Sequence, residues 1–128
     1  MVTDLFAKDI KNGTTTDPGK ILYVVMFYSS RCHPCTFTMP HYEKMAEYFT
    51  FLNAPVKFHR MNVSDDEENK NYYYNSPGTG ESRGVPHFKV YYREEILLDR
   101  TGGGDEETLK KFIHDSIDEA FKKYGDRL

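Results

Sequence analysis

The apolar residues of this chain fall into blocks whose period changes from one to the next. Ile21–Tyr28 is apolar without a break and holds two adjacent valines. A run this short suits a central strand buried on both faces better than a piece of buried helix. From His33 to Phe51 the spacing is helical, with Tyr42, Met45, Ala46 and Phe49 on one face, and Pro40 inside the pattern predicts a kink or one lost backbone bond. Ala54-Pro55 breaks the chain, and Val56–Val63 is the next predicted strand. Ser64-Asp65-Asp66-Glu67 has the form of a capping box that opens a helix reaching about Tyr74. Val85-Pro86 then introduces a strand at His87–Tyr92, Arg93-Glu94-Glu95 a turn, and Ile96–Arg100 an antiparallel return. After Gly102-Gly103-Gly104, a cap near Asp105 starts a last helix with an apolar stripe of Leu109, Phe112, Ile113, Ile117, Ala120 and Phe121. Lys122, Lys123 and then Gly125 suit its end. At the other terminus Thr3–Lys11 reads as a short helix, with Leu5, Phe6 and Ile10 on one face, Thr3 or Asp4 as cap and Gly13 as stop. Asn12–Lys20, with Asp17-Pro18-Gly19 as turn chemistry, and Asn75–Gly84 read as loops.

The order is therefore helix, strand, helix, strand, helix, hairpin, helix. A strand, crossover helix and strand make a parallel unit, and the hairpin adds an antiparallel edge. This predicts an α/β fold: a central mixed sheet of four to five strands flanked by helices on both faces. The 128 residues form one domain, 1–128, long enough to bury roughly two thirds of its unfolded surface. With no Trp, the ten Tyr and nine Phe carry much of the core. A net charge of −3 argues against a nucleic-acid partner found by electrostatics. No apolar stretch approaches the roughly 20 residues of a membrane span. Acids near the N-terminus, where a signal peptide needs an apolar block, make a cytoplasmic protein the expectation, or one of a secretory compartment if a leader has been removed.

The chemistry concentrates in Tyr28–Pro40. The only two cysteines, Cys32 and Cys35, stand at Cys-x-x-Cys spacing between the predicted strand and the helix start, which in this context is a redox motif. At a helix start the unpaired N–H groups favour a Cys32 thiolate, and Cys35 lies about one turn on, within reach to close or open a disulfide. Pro34 is tolerated because the first turn has no use for its N–H. His33, held between the two sulfurs and protonatable, adds a second stabiliser of the thiolate. The rival reading is half of a zinc site. Zinc wants four ligands, and none of His33, His41, His59, His87 and His114 has paired ligand spacing. His87 is read as a strand residue near the site; His41, His59 and His114 as surface or core; Tyr72-Tyr73-Tyr74 as packing and rim. The Gly102–Gly104 run reads as a turn before a helix.

These residues resemble the thioredoxin superfamily over nearly the whole chain. Cys32-His33-Pro34-Cys35 stands where the family's redox pair stands, Pro40 matches the kink proline of its active-site helix, and Gly84-Val85-Pro86 looks like the segment carrying its cis-proline. The segments from Pro40 to Ala46 and from Arg100 to Gly104 are more similar to protein disulfide isomerase domains. Three departures stand out. Arg31 replaces the usual tryptophan before the first cysteine. His33-Pro34 is neither Gly-Pro nor Gly-His. Met26 stands where a buried acid lies beneath the second cysteine, with Arg60 at the place of the lysine that accompanies that acid. The resemblance implies a protein thiol–disulfide oxidoreductase working through a mixed disulfide, with Cys32, Cys35, His33 and Pro34 catalytic and Arg31, Val85 and Pro86 contacting substrate. It implies no cofactor beyond the Cys32–Cys35 disulfide, no metal, protein disulfide or dithiol substrates, a recycling reductase or oxidase, and a monomer. A glutathione-dependent glutaredoxin-like enzyme and a non-catalytic binding module of the same fold are the other two readings.

Overall fold

The computed structural model describes residues 1–11, 19–75 and 84–128. The chain runs β1 (Val2–Asp4), α1 (Ala7–Lys11), β2 (Leu22–Tyr28), α2 (His33–Phe51), β3 (Val56–Asn62), α3 (Glu67–Asn75), β4 (His87–Tyr92), β5 (Glu95–Thr101) and α4 (Glu106–Tyr124). The strands form one mixed sheet in the order β1-β3-β2-β4-β5. β1, β3 and β2 run parallel, and β4 and β5 join antiparallel on the far side of β2. This is the expected mixed α/β sheet, at five strands.

β2 sits at the centre, and its alternation sorts the two cores. Leu22, Val24 and Met26 face one layer, with Cys35, Tyr42, Met45 and Phe49 of α2 and Leu109 and Ile113 of α4. Tyr23, Val25 and Phe27 face the other, with Leu5 and Tyr73. A strand buried on both sides must be apolar at every position, which is why Leu22–Tyr28 reads as an unbroken run. Tyr42 fastens α2 to this sheet: its fully buried hydroxyl donates to the His59 carbonyl oxygen at 2.7 Å, with the Val24 carbonyl oxygen at 3.4 Å.

The N-terminal helix expected at Thr3–Lys11 is replaced by a strand and a shorter helix. Val2, Thr3 and Asp4 pair with Phe58, His59 and Arg60, and the Leu5 N–H continues the ladder to the Arg60 carbonyl at 2.8 Å. The open edge of β3 outweighs the local helical pattern. α1 then starts at Ala7, whose N–H donates to Asn69 Oδ1 at 2.8 Å, while the Phe6 N–H donates to Asp9 Oδ2. Neither Thr3 nor Asp4 caps it.

The capping box also differs. Ser64 is drawn into a turn in which its own N–H and that of Asp65 both donate to Asn62 Oδ1, so the cap passes to Asp66, whose Oδ1 accepts from the Asn69 N–H at 2.9 Å. The last helix agrees with expectation at both ends. Asp105 accepts from the Thr108 N–H, and Gly125 closes it at φ 73°. Gly13, most of the Asp17-Pro18-Gly19 turn and most of the Asn75–Gly84 loop lie outside the described residues.

Removing the Tyr42 hydroxyl should take one of its hydrogen bonds from the His59 carbonyl oxygen, which lies in the middle of the parallel part of the sheet. Burial pushes that hydroxyl pKa far up, so it stays neutral throughout the working range. We expect Tyr42→Phe to lose about 0.5–1.5 kcal/mol of stability, independent of pH, measured by urea unfolding of the oxidised protein with an unchanged m-value.

Candidate active site

The site forms where β2 gives way to α2. The chain turns at Ser29, whose carbonyl accepts from the Cys32 N–H at 3.2 Å and whose hydroxyl accepts from the Arg31 N–H at 3.1 Å. Ser30 is pinned to the loop after β3, its N–H donating to Ser64 Oγ at 3.1 Å. Cys32 is left as the N-cap of α2, in extended conformation at φ −93° and ψ 111°. Its Sγ accepts the Cys35 N–H at 3.1 Å, so a sulfur does the work usually done by a serine or aspartate oxygen. Cys32 and Cys35 are joined as a disulfide, with Cα atoms 5.2 Å apart. Once the bond is reduced, the same N–H and the positive end of the helix favour charge on Cys32.

The two sulfurs are unequal. Cys35 is 2% exposed and packs into the core shared by α2, α4 and the sheet, whereas Cys32 is only half-buried. Opposite Cys32 lies the Val85–Pro86 peptide, which is cis. The Val85 carbonyl oxygen is 3.4 Å from Cys32 Sγ, a distance over which the thiol of the reduced form can donate. Pro86 is buried, and its carbonyl accepts from the Gly102 N–H at 2.8 Å, tying this segment to the end of β5. Gly103 then lies so close to Thr38 of α2 that an added Cβ would overlap the hydroxyl, and the Gly104 N–H donates to that hydroxyl at 3.2 Å. Close packing on α2 is the reason for glycine here.

Of the residues singled out in the sequence, Cys32, Cys35, Val85 and Pro86 thus meet at one point. Arg31, His33 and Pro34 are exposed around it. Hydrogen bonds from Ser30, then Asn62 and Ser64, hold the neighbouring Asp65 carboxyl below its usual range, and the Arg31 charge acts the same way more weakly.

Behind the disulfide, Met26 is fully buried in the same core as Cys35 and offers no proton acceptor. A cavity of about 330 Å³ nevertheless reaches Cys35; Met39, Pro40, Glu43 and Arg60 line it. Arg60 pairs with Met26 across the sheet and so faces the same layer. Its charge is already engaged: Nε lies 2.7 Å from Asp4 Oδ1 and Nη1 3.6 Å from Glu43 Oε1. The hydrogen bond to Asp4 is the main reason the guanidinium pKa is held up. Sequence reading overlooked Glu43. The signal was present, since Cys35, Met39 and Glu43 recur at i, i+4 and i+8 along one side of α2. No group of three or more His, Cys, Asp or Glu side chains among the described residues is arranged to hold a metal ion.

The difference in exposure is measurable. After reduction, iodoacetamide at about pH 6 should label Cys32 well before Cys35, and Cys35→Ser should accumulate mixed disulfides through Cys32. Mass spectrometry reads both, and faster labelling of Cys35 would reverse the two roles.

The comparisons agree with this geometry. The family model for thioredoxin matches residues 2–115. A thioredoxin from Geodia cydonium is 28% identical over 113 residues, which cover 88% of this chain and 96% of that protein. The crystal structure of thioredoxin f from spinach chloroplast, in its long form, superposes with a TM-score of 0.71 at 25% identity, over 90% of this chain and 85% of that one. With the matched model spanning most of the chain and a Cys-x-x-Cys disulfide capping α2, this chain belongs to the thioredoxin family and is a thiol–disulfide oxidoreductase.

Proposed function

We propose that the reduced form attacks protein disulfides through Cys32 and resolves the adduct through Cys35. One observation carries this reading: Cys32 Sγ receives the Cys35 N–H at the start of α2 while facing the Val85 carbonyl. The Cys32 thiolate bonds to one substrate sulfur, and the substrate disulfide breaks with loss of a thiolate. The Cys35 thiolate then attacks Cys32 Sγ, closing the disulfide and releasing the second substrate thiolate. Two electrons pass to the substrate, and the departing thiolates take up the protons that the two cysteines lose. A reductase returns the pair to the dithiol; with an oxidase and a dithiol substrate the same steps run backwards. Val85 and Pro86 offer a backbone edge for an extended substrate segment, a form of strand addition. Exposed Arg31 supplies a cation where the family has a flat apolar rim, which suits substrates with acidic residues beside the cysteine.

His33 is the first helical residue after Cys32, and Arg31 precedes it. The Arg31 cation and the His33 imidazole flank Cys32, and groups that stabilise its thiolate favour the reduced form and make the pair more oxidising. Burial disfavours a Cys35 thiolate, and with Met26 beneath it the proton leaves through the cavity that Glu43 and Arg60 line.

Insulin reduction supported by dithiothreitol or a thioredoxin reductase tests the activity. An absolute requirement for glutathione would favour a glutaredoxin-like enzyme, and no reduction at all would leave a binding module. We expect a Cys32–Cys35 potential above about −270 mV, near −200 mV, and a fall toward the thioredoxin value in His33→Gly. Equilibration with glutathione buffers measures it, and a wild-type value at or below about −270 mV would refute the role given to His33 and Arg31.

A further inference from the structure

The Gly84-Val85-Pro86 segment that faces Cys32 is held from behind by side chains that the redox mechanism does not use. His87 follows Pro86 directly and is fully buried. Its Nδ1 lies 3.0 Å from the Tyr73 hydroxyl of α3, and its Nε2 lies 2.9 Å from Asp99 Oδ2 on β5. The same Tyr73 hydroxyl is 2.9 Å from the Gly84 carbonyl oxygen. The result is a chain of three contacts, from the Gly84 carbonyl through Tyr73 and His87 to Asp99.

A carbonyl can only accept, so its bond takes the single Tyr73 hydroxyl proton. The Tyr73–His87 contact must then be filled by a proton on Nδ1. A carboxylate also only accepts, so the third contact needs a proton on Nε2 or on Asp99 itself. A neutral imidazole beside a carboxylate holds one proton where two are needed. All three contacts are hydrogen bonds only when the His87–Asp99 pair carries one extra proton. Without it, the charge-assisted bond from Nε2–H to Asp99 is the one to survive. Tyr73 then turns its proton to Nδ1 and releases the Gly84 carbonyl, or keeps Gly84 and leaves two lone pairs facing each other at Nδ1.

We propose that His87 is a positioning residue which, through Tyr73, fastens the substrate-facing Gly84-Val85-Pro86 segment only when the His87–Asp99 pair has taken up this extra proton. The inference rests on the oxidoreductase reading for its effect on substrate, but not for the proton count. Tyr73 faces His87 from α3, Asp99 from β5 and Lys89 from its own strand; the group from β2 is the uncharged Phe27 ring. Burial pushes the His87 pKa below the usual imidazole range, the hydrogen bond to Asp99 opposes this, and the Lys89 charge adds to it. Lys89 is itself fully buried, with Nζ over the Phe27 and Tyr73 rings and no hydrogen-bond partner among the described residues; burial brings its pKa down to about 8. At neutral pH the pair therefore lacks the extra proton, and the segment is fastened incompletely. It tightens as the pH falls below the ordinary histidine range.

Asp99→Asn separates this account from a merely structural one. An asparagine amide can donate to Nε2, so a neutral imidazole can keep its proton on Nδ1 and satisfy all three contacts at every pH. Ring-nitrogen NMR of His87 at about pH 7.5 should find the proton on Nε2 in the wild type and on Nδ1 in Asp99→Asn. In single-turnover reduction of a disulfide peptide by pre-reduced protein, the half-saturating concentrations of the two should agree near pH 5. By about pH 8 the wild type should be weaker by roughly fivefold, the worth of one hydrogen bond, with limiting rates unchanged. Tyr73→Phe, which cannot bridge Gly84 to His87, should bind weakly at both pH values. A proton on Nε2 in both proteins, or a wild-type to Asp99→Asn ratio flat with pH, would overturn the proposal. If the wild type reduces no disulfide, the oxidoreductase reading fails, while the NMR result still decides the network.

Discussion

The structure depends on how the first turn of α2 is capped. A helix start leaves backbone N–H groups without partners, and here one of them is met by Cys32 Sγ rather than by an oxygen. The same contact that completes the helix prepares the sulfur for its chemistry, because an N–H that suits a disulfide sulfur suits a thiolate better. Everything around it fixes the geometry of this turn. β2 delivers the chain to it, Ser29 and Ser64 hold the corner, and Tyr42 bonds α2 to β3 below.

From that single turn follows the inequality of the two sulfurs. The N-cap residue stands outside the helix and meets solvent, while the residue three positions on points down into the core. The turn thus leaves one sulfur near the surface and the other in the core without any further residue type. In this chain the second thiol lies over methionine, and its cavity is lined by Glu43 and by an arginine already bound by two carboxylates. Beneath Cys35 there is thus a buried thioether where a buried acid could have stood, with the cavity opening to one side.

The opposite wall, Val85 and Pro86, is held by two different supports. The Gly102 N–H takes the Pro86 carbonyl from β5, a backbone bond indifferent to pH. The Tyr73–His87–Asp99 chain takes the Gly84 carbonyl through side chains that titrate. A backbone support and a side-chain support thus hold neighbouring peptides of the segment that faces Cys32.

The sequence by itself determined the elements with strong periodicity or unambiguous end signals. β2 is legible because burial on both faces requires an unbroken apolar run, α2 and α4 because their buried residues recur at helical spacing, and Cys32 and Cys35 because their spacing and place at a strand–helix junction have few other meanings. Only the tertiary structure decided what depends on partners distant in sequence. Val2–Asp4 became a strand because β3 offered an open edge, and Ser64 lost the cap because Asn62 competed for the backbone. Glu43 and Arg60 reach the Cys35 cavity from different elements, and Tyr73, His87 and Asp99 come from three. No local pattern encodes such meetings, since a polar residue in a strand or helix reads alike whether it faces solvent or a buried partner.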